Sequence, residues 1–347
     1  MGIADIIIKF ILIVIIFAVS LLIALYSTYA ERKVAAFFQD RLGPNRAGPW
    51  GILQPFADGG KMFLKEEIIP ANANAFLFIA GPSLSILTAC IGSAVIPWGQ
   101  TLTIGSHIID LQVTDINVGV LYLLGVVSLG VYGVMIGGWA SNNKYSLLGA
   151  IRAASQNISY ELSMGLSIIA LLMTTGTLSL RRIAEQQSGF WHGHWFTWNV
   201  FSQPLGFLVF IVCAFAETNR TPFDLPECET ELIGGYHTEY SSMKLGFYLF
   251  SEYINMFISG AVMATLYFGG YNFPFMHHLG LSENWVSIVG VIALFIKAFF
   301  FIFFFMWVRW TIPRFRYDQL MDLGWKVLIP LSIANIVITA IVITFFK

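Results

Sequence analysis

Apolar runs of about 20 residues recur along the whole chain. An α-helix needs about 20 apolar residues to cross a bilayer, so each run predicts one membrane-spanning helix. Only 11% of the 347 residues are charged and 57% are hydrophobic, whereas soluble domains carry about 25% charged residues. The sequence therefore predicts an all-α integral membrane protein, a polytopic bundle of about eight transmembrane helices. The predicted helices cover residues 6–29, 75–97, 118–140, 158–176, 200–216, 245–269, 285–308 and 327–346.

The predicted helices follow one another without a domain-sized polar linker, so residues 1–347 are expected to form a single transmembrane domain. Two connections, 31–73 and 217–244, are unusually long, and long loops in compact proteins tend to be functional. The first apolar run is too long for the core of a signal peptide, and no convincing cleavage site follows it. We therefore expect this first helix to be retained.

Positive residues are distributed unevenly between the loops. Only Arg181 and Arg182 occupy the loops after helices two, four and six. The loops after helices one, three, five and seven include Arg32, Lys33, Arg41, Arg46, Lys61, Lys65, Lys144, Arg152, Arg220, Lys244, Arg309, Arg314 and Arg316. The positive-inside rule places these odd-numbered loops on the cytoplasmic face and both termini on the opposite face. The net charge of −1 predicts no nucleic-acid partner.

The second long loop is rich in carboxylates. Its acidic residues are Glu217, Asp224, Glu227, Glu229, Glu231 and Glu239, and Glu252 follows on the next helix. A carboxylate in or beside hydrocarbon is costly unless it is paired, protonated or hydrated, so the cluster indicates proton or ion handling. The alternative is a solvated loop whose charges face water.

Two carboxylates and one lysine lie within predicted helices. Glu252 belongs to a polar stripe with residues 248, 255 and 259, and such a stripe faces protein or water. Glu161 lies more than about 100° away from a stripe of hydroxyl and amide side chains at residues 156–167, at 100° per residue. That stripe is more typical of helix packing than of a proton wire. Lys297, in the middle of helix seven, needs a carboxylate partner or a lowered pKa. We expect it to pair with Glu161 or Glu252.

The first long loop has amphipathic character. Residues 31–40 are predicted to form an amphipathic helix at the membrane interface, and residues 50–64 carry a second apolar face. Asp58 and Lys61 could be a solvated pair, since they are spaced at i and i+3. Alternatively, these segments wall a cavity in which four side chains contact an amphipathic small molecule. Those side chains are Arg32, Arg41, Asp58 and Lys61.

Metal chemistry is not indicated. The three cysteines, Cys90, Cys213 and Cys228, are too few and too scattered for a disulfide framework. No Cys or His spacing matches a zinc or iron-sulfur site. We therefore expect no metal and no catalytic nucleophile in this chain.

Four segments resemble one known family. They are AERKVAAFFQDRLGPNRAGPWGILQPFADGGKMFLKE, GWASNNKYSLLGAIRAASQNISYE, FAETNRTPFDLPECETELIGGYHTEYSSMKLGFYLFSEY and PRFRYDQLMDLGWK. Together they are similar to the H subunits of NADH-quinone oxidoreductase, respiratory complex I. The resemblance spans almost the whole chain. It implies a membrane-arm component that forms part of the quinone chamber and couples quinone reduction to proton translocation.

The resemblance also implies roles for individual residues. Arg32, Arg41, Asp58 and Lys61 would line or support the quinone passage. A proton-coupling group would comprise Glu161, Glu217, Asp224, Glu227, Glu229, Glu231 and Glu252, with Arg220 and Lys297 as charge partners. Quinone, either ubiquinone or menaquinone, would be the substrate, while NADH, FMN and iron-sulfur clusters would belong to partner subunits.

The same resemblance implies partners and a location. The partners would be the hydrophilic-arm subunits at the quinone site, adjacent small membrane subunits and the lipid of a bacterial cytoplasmic (inner) membrane. Two alternatives remain at this stage. One is the related membrane subunit of an energy-converting hydrogenase or F420-type dehydrogenase. The other is a stand-alone ion transporter, for which matched repeats and broken helices would be expected.

Overall fold

The computed structural model describes residues 3–104, 107–188, 197–227, 229–273, 276 and 282–346. The helices are α1 (Ile3–Phe38), α2 (Gln54–Leu64), α3 (Ala75–Gly92), α4 (Gly119–Ala140), α5 (Lys144–Thr175), α6 (Leu180–Gln186), α7 (Asn199–Ser202), α8 (Pro204–Glu217), α9 (Glu229–Leu232), α10 (Ser242–Tyr267), α11 (Glu283–Thr311), α12 (Tyr317–Asp322) and α13 (Ile329–Phe346). A π-helical turn, Leu323–Leu328, joins α12 to α13. Strands β1 (Thr101–Ile104) and β2 (His107–Asp110) form an antiparallel hairpin, which the sequence did not predict.

The helices confirm an all-α polytopic membrane protein. Within the described residues, seven helical stretches are long and apolar enough to cross a membrane: α1, α3, α4, α5, α10, α11 and the continuous stretch from α12 through α13. The predicted fifth helix corresponds to α8, a shorter apolar helix of 14 residues.

The first helix is longer than predicted. Residues 3–38 contain neither glycine nor proline, so nothing interrupts the backbone hydrogen bonds at the end of the apolar run. At 1.5 Å per residue α1 is about 54 Å long, well beyond the roughly 30 Å of a hydrocarbon core. Residues 31–38 of the helix predicted over 31–40 are therefore the last turns of α1 and not a separate helix. The second apolar face of the loop does form its own helix, α2.

The fourth predicted helix begins earlier than residue 158. The Asn143 side chain accepts a hydrogen bond from the backbone N–H of Tyr145 at 2.9 Å, which caps the first turn of α5. The helix ends before Gly176, whose φ of 67° is left-handed. One face of the added N-terminal turns is buried against protein.

The polar stripe of α5 serves helix packing, as its composition favoured. Tyr160 Oη donates to the carbonyl oxygen of Leu320 at 2.9 Å, and Ser159 Oγ accepts from Trp325 Nε1 at 3.1 Å. Ser332 Oγ lies 3.3 Å from the carbonyl oxygen of Ser163. These bonds fix α12, the π turn and α13 against α5.

Helix α10 occupies the centre of the bundle. Within the most apolar 18 residues of α10, 72% are buried inside the protein, whereas the corresponding share for α1 is 6%. It packs against α3, α11 and α1. Because α10 is surrounded by protein, its polar side chains, including Glu252, face other helices and loops, as the polar stripe predicted.

Candidate functional site

The loop between α8 and α10 folds into the protein. Residues 218–226 are all buried, so the solvated alternative is wrong for this part of the loop. Gln156 of α5 fixes the loop, since its Nε2 donates to the carbonyl oxygens of Ala216 at 2.8 Å and Phe223 at 2.9 Å. The same amide lies 3.3 Å from Asn219 Oδ1. The acidic residues of this loop are therefore held in defined positions.

Glu227 and Glu252 meet at the hydroxyl of Tyr236. Tyr236 Oη lies 2.8 Å from Glu227 Oε1 and 3.0 Å from Glu252 Oε1. Burial alone would raise the pKa of Glu227, but the neighbouring Glu252, the hydrogen bond with Tyr236 and the nearby His237 hold that pKa below its ordinary value. The structure thus joins a loop carboxylate to a helix carboxylate.

Asp224 forms an ion pair at the edge of the same loop. Its Oδ2 accepts hydrogen bonds from Arg314 Nη2 at 2.8 Å and from Thr221 Oγ1 at 3.4 Å. Burial and the neighbouring Glu227 carboxylate raise the pKa of Asp224 to about 6, although Arg314 and other arginines act in the opposite direction. This carboxyl can therefore change its protonation near neutral pH.

A second buried cluster is centred on Glu31, which the sequence analysis missed. Glu31 Oε1 lies 2.6 Å from Arg309 Nη1, and Oε2 accepts from Arg220 Nη1 at 3.1 Å and Tyr253 Oη at 2.7 Å. The Arg220 guanidinium also lies 4.2 Å from the centre of the Tyr253 ring. Arg220 therefore has Glu31 as its direct carboxylate partner, while its charge also acts on Glu227 and Glu252. The signal available in the sequence was the acidic residue at the end of the first apolar run.

Glu161 and Glu217 form a separate carboxylate pair. Glu161 Oε2 accepts a hydrogen bond from Ser128 Oγ of α4 at 3.0 Å, and its Oε1 is buried without a hydrogen-bond partner among the described residues. Glu217 ends α8 and lies close enough to Glu161 for their charges to interact. The partners of Glu161 are therefore different from those of the α5 stripe, as its position on the helix predicted.

The remaining loop carboxylates lie at the edge of the cluster. Glu231 Oε2 is 3.1 Å from Arg152 Nη1, and this pair is partly exposed. Glu239 Oε1 accepts a hydrogen bond from Asn143 Nδ2 at 2.5 Å. The side chain of Glu229 lies outside the described residues, so its predicted role stays a prediction.

The predicted quinone-side residues are only partly brought together. Arg32 Nη1 lies 2.7 Å from Asp58 Oδ2, and Gln54 Nε2 donates to Asp58 Oδ1 at 3.0 Å. This pair links the end of α1 to α2, and it replaces the expected i, i+3 pairing of Asp58 with Lys61. Lys61 and Arg41 are both exposed. Arg41 Nε donates a hydrogen bond to Gln39 Oε1 at 2.7 Å.

Lys297 has no carboxylate partner among the described residues. Its Nζ donates to the carbonyl oxygens of Phe268 at 2.7 Å, Gly270 at 2.8 Å and Asn272 at 2.5 Å. The ammonium also lies 5.1 Å from the centre of the Trp198 ring. These carbonyls follow the end of α10, where backbone oxygens lack helical partners. The predicted pairing with Glu161 or Glu252 is wrong.

The described residues do not form a metal-binding site. Within the described ranges, no group of three or more His, Cys, Asp or Glu side chains could hold a metal ion. What the carboxylates can do is bind, share and pass protons, because buried acidic groups that lie close together cannot all be ionised.

The known proteins similar to this chain are named as subunits of one enzyme. A family model described as NADH dehydrogenase matches residues 10–340. An H subunit of NADH-quinone oxidoreductase from Cytophaga hutchinsonii is 67% identical, covering 97% of this chain and 97% of its own length. The H subunit of the same enzyme from Flavobacterium johnsoniae is 63% identical over 98% and 96%, and one from Geobacter metallireducens is 47% identical over 96% and 94%. Because these matches cover nearly the whole chain, it belongs to the NADH dehydrogenase family, among the relatives named as H subunits of NADH-quinone oxidoreductase.

Proposed function

We propose that this chain is a membrane subunit of proton-pumping NADH:quinone oxidoreductase, respiratory complex I. In this role it forms part of the quinone chamber and couples quinone reduction to proton translocation. The names of the relatives support the enzyme. The observation that carries the coupling role is the set of buried and partly buried carboxylates on the α8–α10 loop, α10 and α5.

The carboxylates form two groups. The loop group comprises Asp224 and Glu227 and reaches Glu252 through Tyr236. The second group comprises Glu217 and Glu161, which lie where α8 passes α5 and α4. Each group contains neighbouring acids whose negative charges repel one another. A proton added at one acid therefore changes the proton affinity of the next.

Quinone chemistry supplies the reason for such an arrangement. Reduction of a quinone to a quinol consumes two protons, so the charge beside the quinone changes during turnover. A carboxylate that loses or gains a proton in response alters its neighbours through the same electrostatic interaction. The buried Arg220, held by Glu31, provides a fixed positive charge beside the loop.

The wall of the quinone chamber is assigned to the end of α1 and to α2. The Arg32–Asp58 pair joins these elements, and Tyr29 Oη donates to the carbonyl oxygen of Trp50 at 2.7 Å. Trp50 and Phe56 are mostly exposed in the isolated chain. Large apolar side chains beside an ion pair fit a quinone, whose ring is polar at its oxygens and whose tail is apolar.

The proposed setting is a bacterial cytoplasmic membrane. The basic residues at the ends of α1, α8 and α11 favour the cytoplasmic side for the acidic loop. Hydrophilic-arm subunits at the quinone site would dock there, carrying FMN, the iron-sulfur clusters and the NADH site. Small membrane subunits would cover the lipid-facing helices. The relatives' names lend no support to a hydrogenase, an F420-type dehydrogenase or a stand-alone transporter.

The test uses two variants of the assembled complex in proteoliposomes. Asp58→Asn removes the ion pair with Arg32 and should raise the quinone concentration needed for half-maximal NADH oxidation. Glu217→Gln should lower proton pumping, because it removes one member of the carboxylate pair. Asp322→Asn, which alters only an exposed pair with Lys326, is the control. Full activity of the first two variants in both assays would refute the proposal.

A further inference from the structure

Tyr236 lies between two acidic side chains that must share a proton. Its hydroxyl is within hydrogen-bond distance of both Glu227 Oε1 and Glu252 Oε1, at 2.8 and 3.0 Å. A phenol hydroxyl has only one hydrogen, so it can hydrogen bond to both groups only when one of them carries a proton and donates to the phenol oxygen. The geometry therefore corresponds to a singly protonated pair.

The position of the Tyr236 side chain is fixed by tight backbone packing. The preceding Gly235 has a φ of 61°, and a Cβ at that position would lie 1.7 Å from the carbonyl oxygen of Pro226. The Tyr236 ring is 1% exposed, and it meets the Tyr248 ring edge-on with centroids 5.1 Å apart. Because Pro226 directly precedes Glu227, the same contact holds the backbone of Tyr236 close to that of Glu227.

A single phenol hydrogen cannot satisfy two carboxylates at once. The hydroxyl offers one donor and two acceptor positions. It can donate to Glu227 when Glu252 is protonated, and to Glu252 when Glu227 is protonated. A rotation about the C–O bond is enough to change between these states, because both oxygens lie at similar distances.

We propose that Tyr236 is a positioning residue that switches its hydrogen bond to whichever of Glu227 and Glu252 is ionised. The proton moves from one carboxyl group to the other, and the tyrosine hydrogen turns toward the group that has lost it. The tyrosine keeps its own proton throughout. This inference rests on the proposed coupling function, and it gives the pair a donor that stabilises the charged form in both states.

Other ionisable groups face the pair. They are Arg220 and Asp224 of the loop, His237 with its Nε2 3.8 Å from Glu227 Oε1, and Tyr248 of α10, whose ring contacts Tyr236. None of the three substitutions below alters these groups. A change in the pH response of the variants can therefore be assigned to the Tyr236 hydroxyl.

The experiment measures NADH-driven, quinone-dependent proton pumping against pH, with the assembled complex in proteoliposomes. Tyr236→Phe keeps the ring and removes the donor. Because a donor to the charged form eases loss of the shared proton, its removal should shift the pH profile upward by about one pH unit. Tyr160→Phe is the matched control, since its buried hydroxyl donates to the carbonyl oxygen of Leu320 at 2.9 Å. Its profile should not shift.

A second substitution keeps the test decisive if the phenylalanine variant does not assemble. Site-specific fluorotyrosine at position 236 retains the hydroxyl and makes it a stronger donor, so the profile should shift downward. Unshifted profiles in the assembled variants would overturn the inference, even if the amplitude fell. If the profiles do not shift but Glu217→Gln still pumps fewer protons, only the role of Tyr236 is refuted and the proposed function is retained. Full activity of both Glu217→Gln and Asp58→Asn would refute the proposed function instead.

Discussion

Replacement of Glu31 by glutamine tests the buried charge cluster that joins four distant parts of the chain. The carboxylate has two arginines and a tyrosine hydroxyl as partners, with distances of 2.6, 2.7 and 3.1 Å. Glutamine keeps the shape and an acceptor oxygen, but it removes the negative charge. The Arg220 side chain is only 5% exposed, so water cannot replace the lost partner.

The expected cost follows from this burial. Removal of one partner from a buried ion pair costs about 3–5 kcal/mol, because the other charge is left uncompensated. The Arg309 side chain is 31% exposed and can bind water, which favours the lower end, about 3 kcal/mol. With a loss of about 2 °C per kcal/mol for a large domain, the thermal midpoint of this subunit should fall by about 6 °C.

The assay is thermal unfolding of the purified complex, followed by the loss of this subunit from the assembly. Asp322→Asn is the matched control, because it alters a pair whose side chains are 60% and 72% exposed, and exposed pairs contribute little. An unchanged midpoint for Glu31→Gln, equal to that of the control, would refute the reasoning.

Three further predictions concern Asp224, Lys297 and Gly235. The pKa of Asp224 is raised from 3.8 to about 6, so its contribution to stability is full below about pH 3.8 and is lost as the pH rises to about 6. The thermal midpoint of the wild type, relative to that of Asp224→Asn, should fall over this window, and a constant difference would contradict the assignment. Lys297→Met leaves three carbonyl oxygens without their donor and should cost at least about 3 kcal/mol in thermal unfolding, whereas the exposed Lys326→Met should cost nothing measurable. Gly235→Ala should prevent stable assembly in membranes, because its Cβ would lie 1.7 Å from the Pro226 oxygen, while Gly246→Ala, with 3.7 Å to its nearest neighbour, should assemble normally.

The membrane-spanning helices could be predicted because their information is local. An apolar run of sufficient length has few alternatives to a helix in a bilayer. The end of α1 and the start of α5 were harder to predict, because both helices extend into polar sequence that contacts protein or water. Nothing in the composition of residues 31–38 separates the end of a spanning helix from an interfacial one.

The charged contacts were harder to predict, because they depend on which segments meet. Glu31 joins Arg220, Tyr253 and Arg309, and no spacing in the sequence encodes that meeting. Lys297 was expected to need a carboxylate, but the partners it has are backbone carbonyls at the end of α10. Such oxygens are present whatever the residue type, so the sequence gives no sign of them.

The ratio of protons pumped to electrons transferred tests the central claim most directly. It should be measured in proteoliposomes for the wild-type complex and for Glu217→Gln, with NADH as donor and added quinone. We expect the ratio to fall in the variant while some electron transfer remains, because a member of the partly buried Glu161–Glu217 pair has been removed. An unchanged ratio at full rates of both processes would contradict the claim that these carboxylates couple quinone reduction to proton movement.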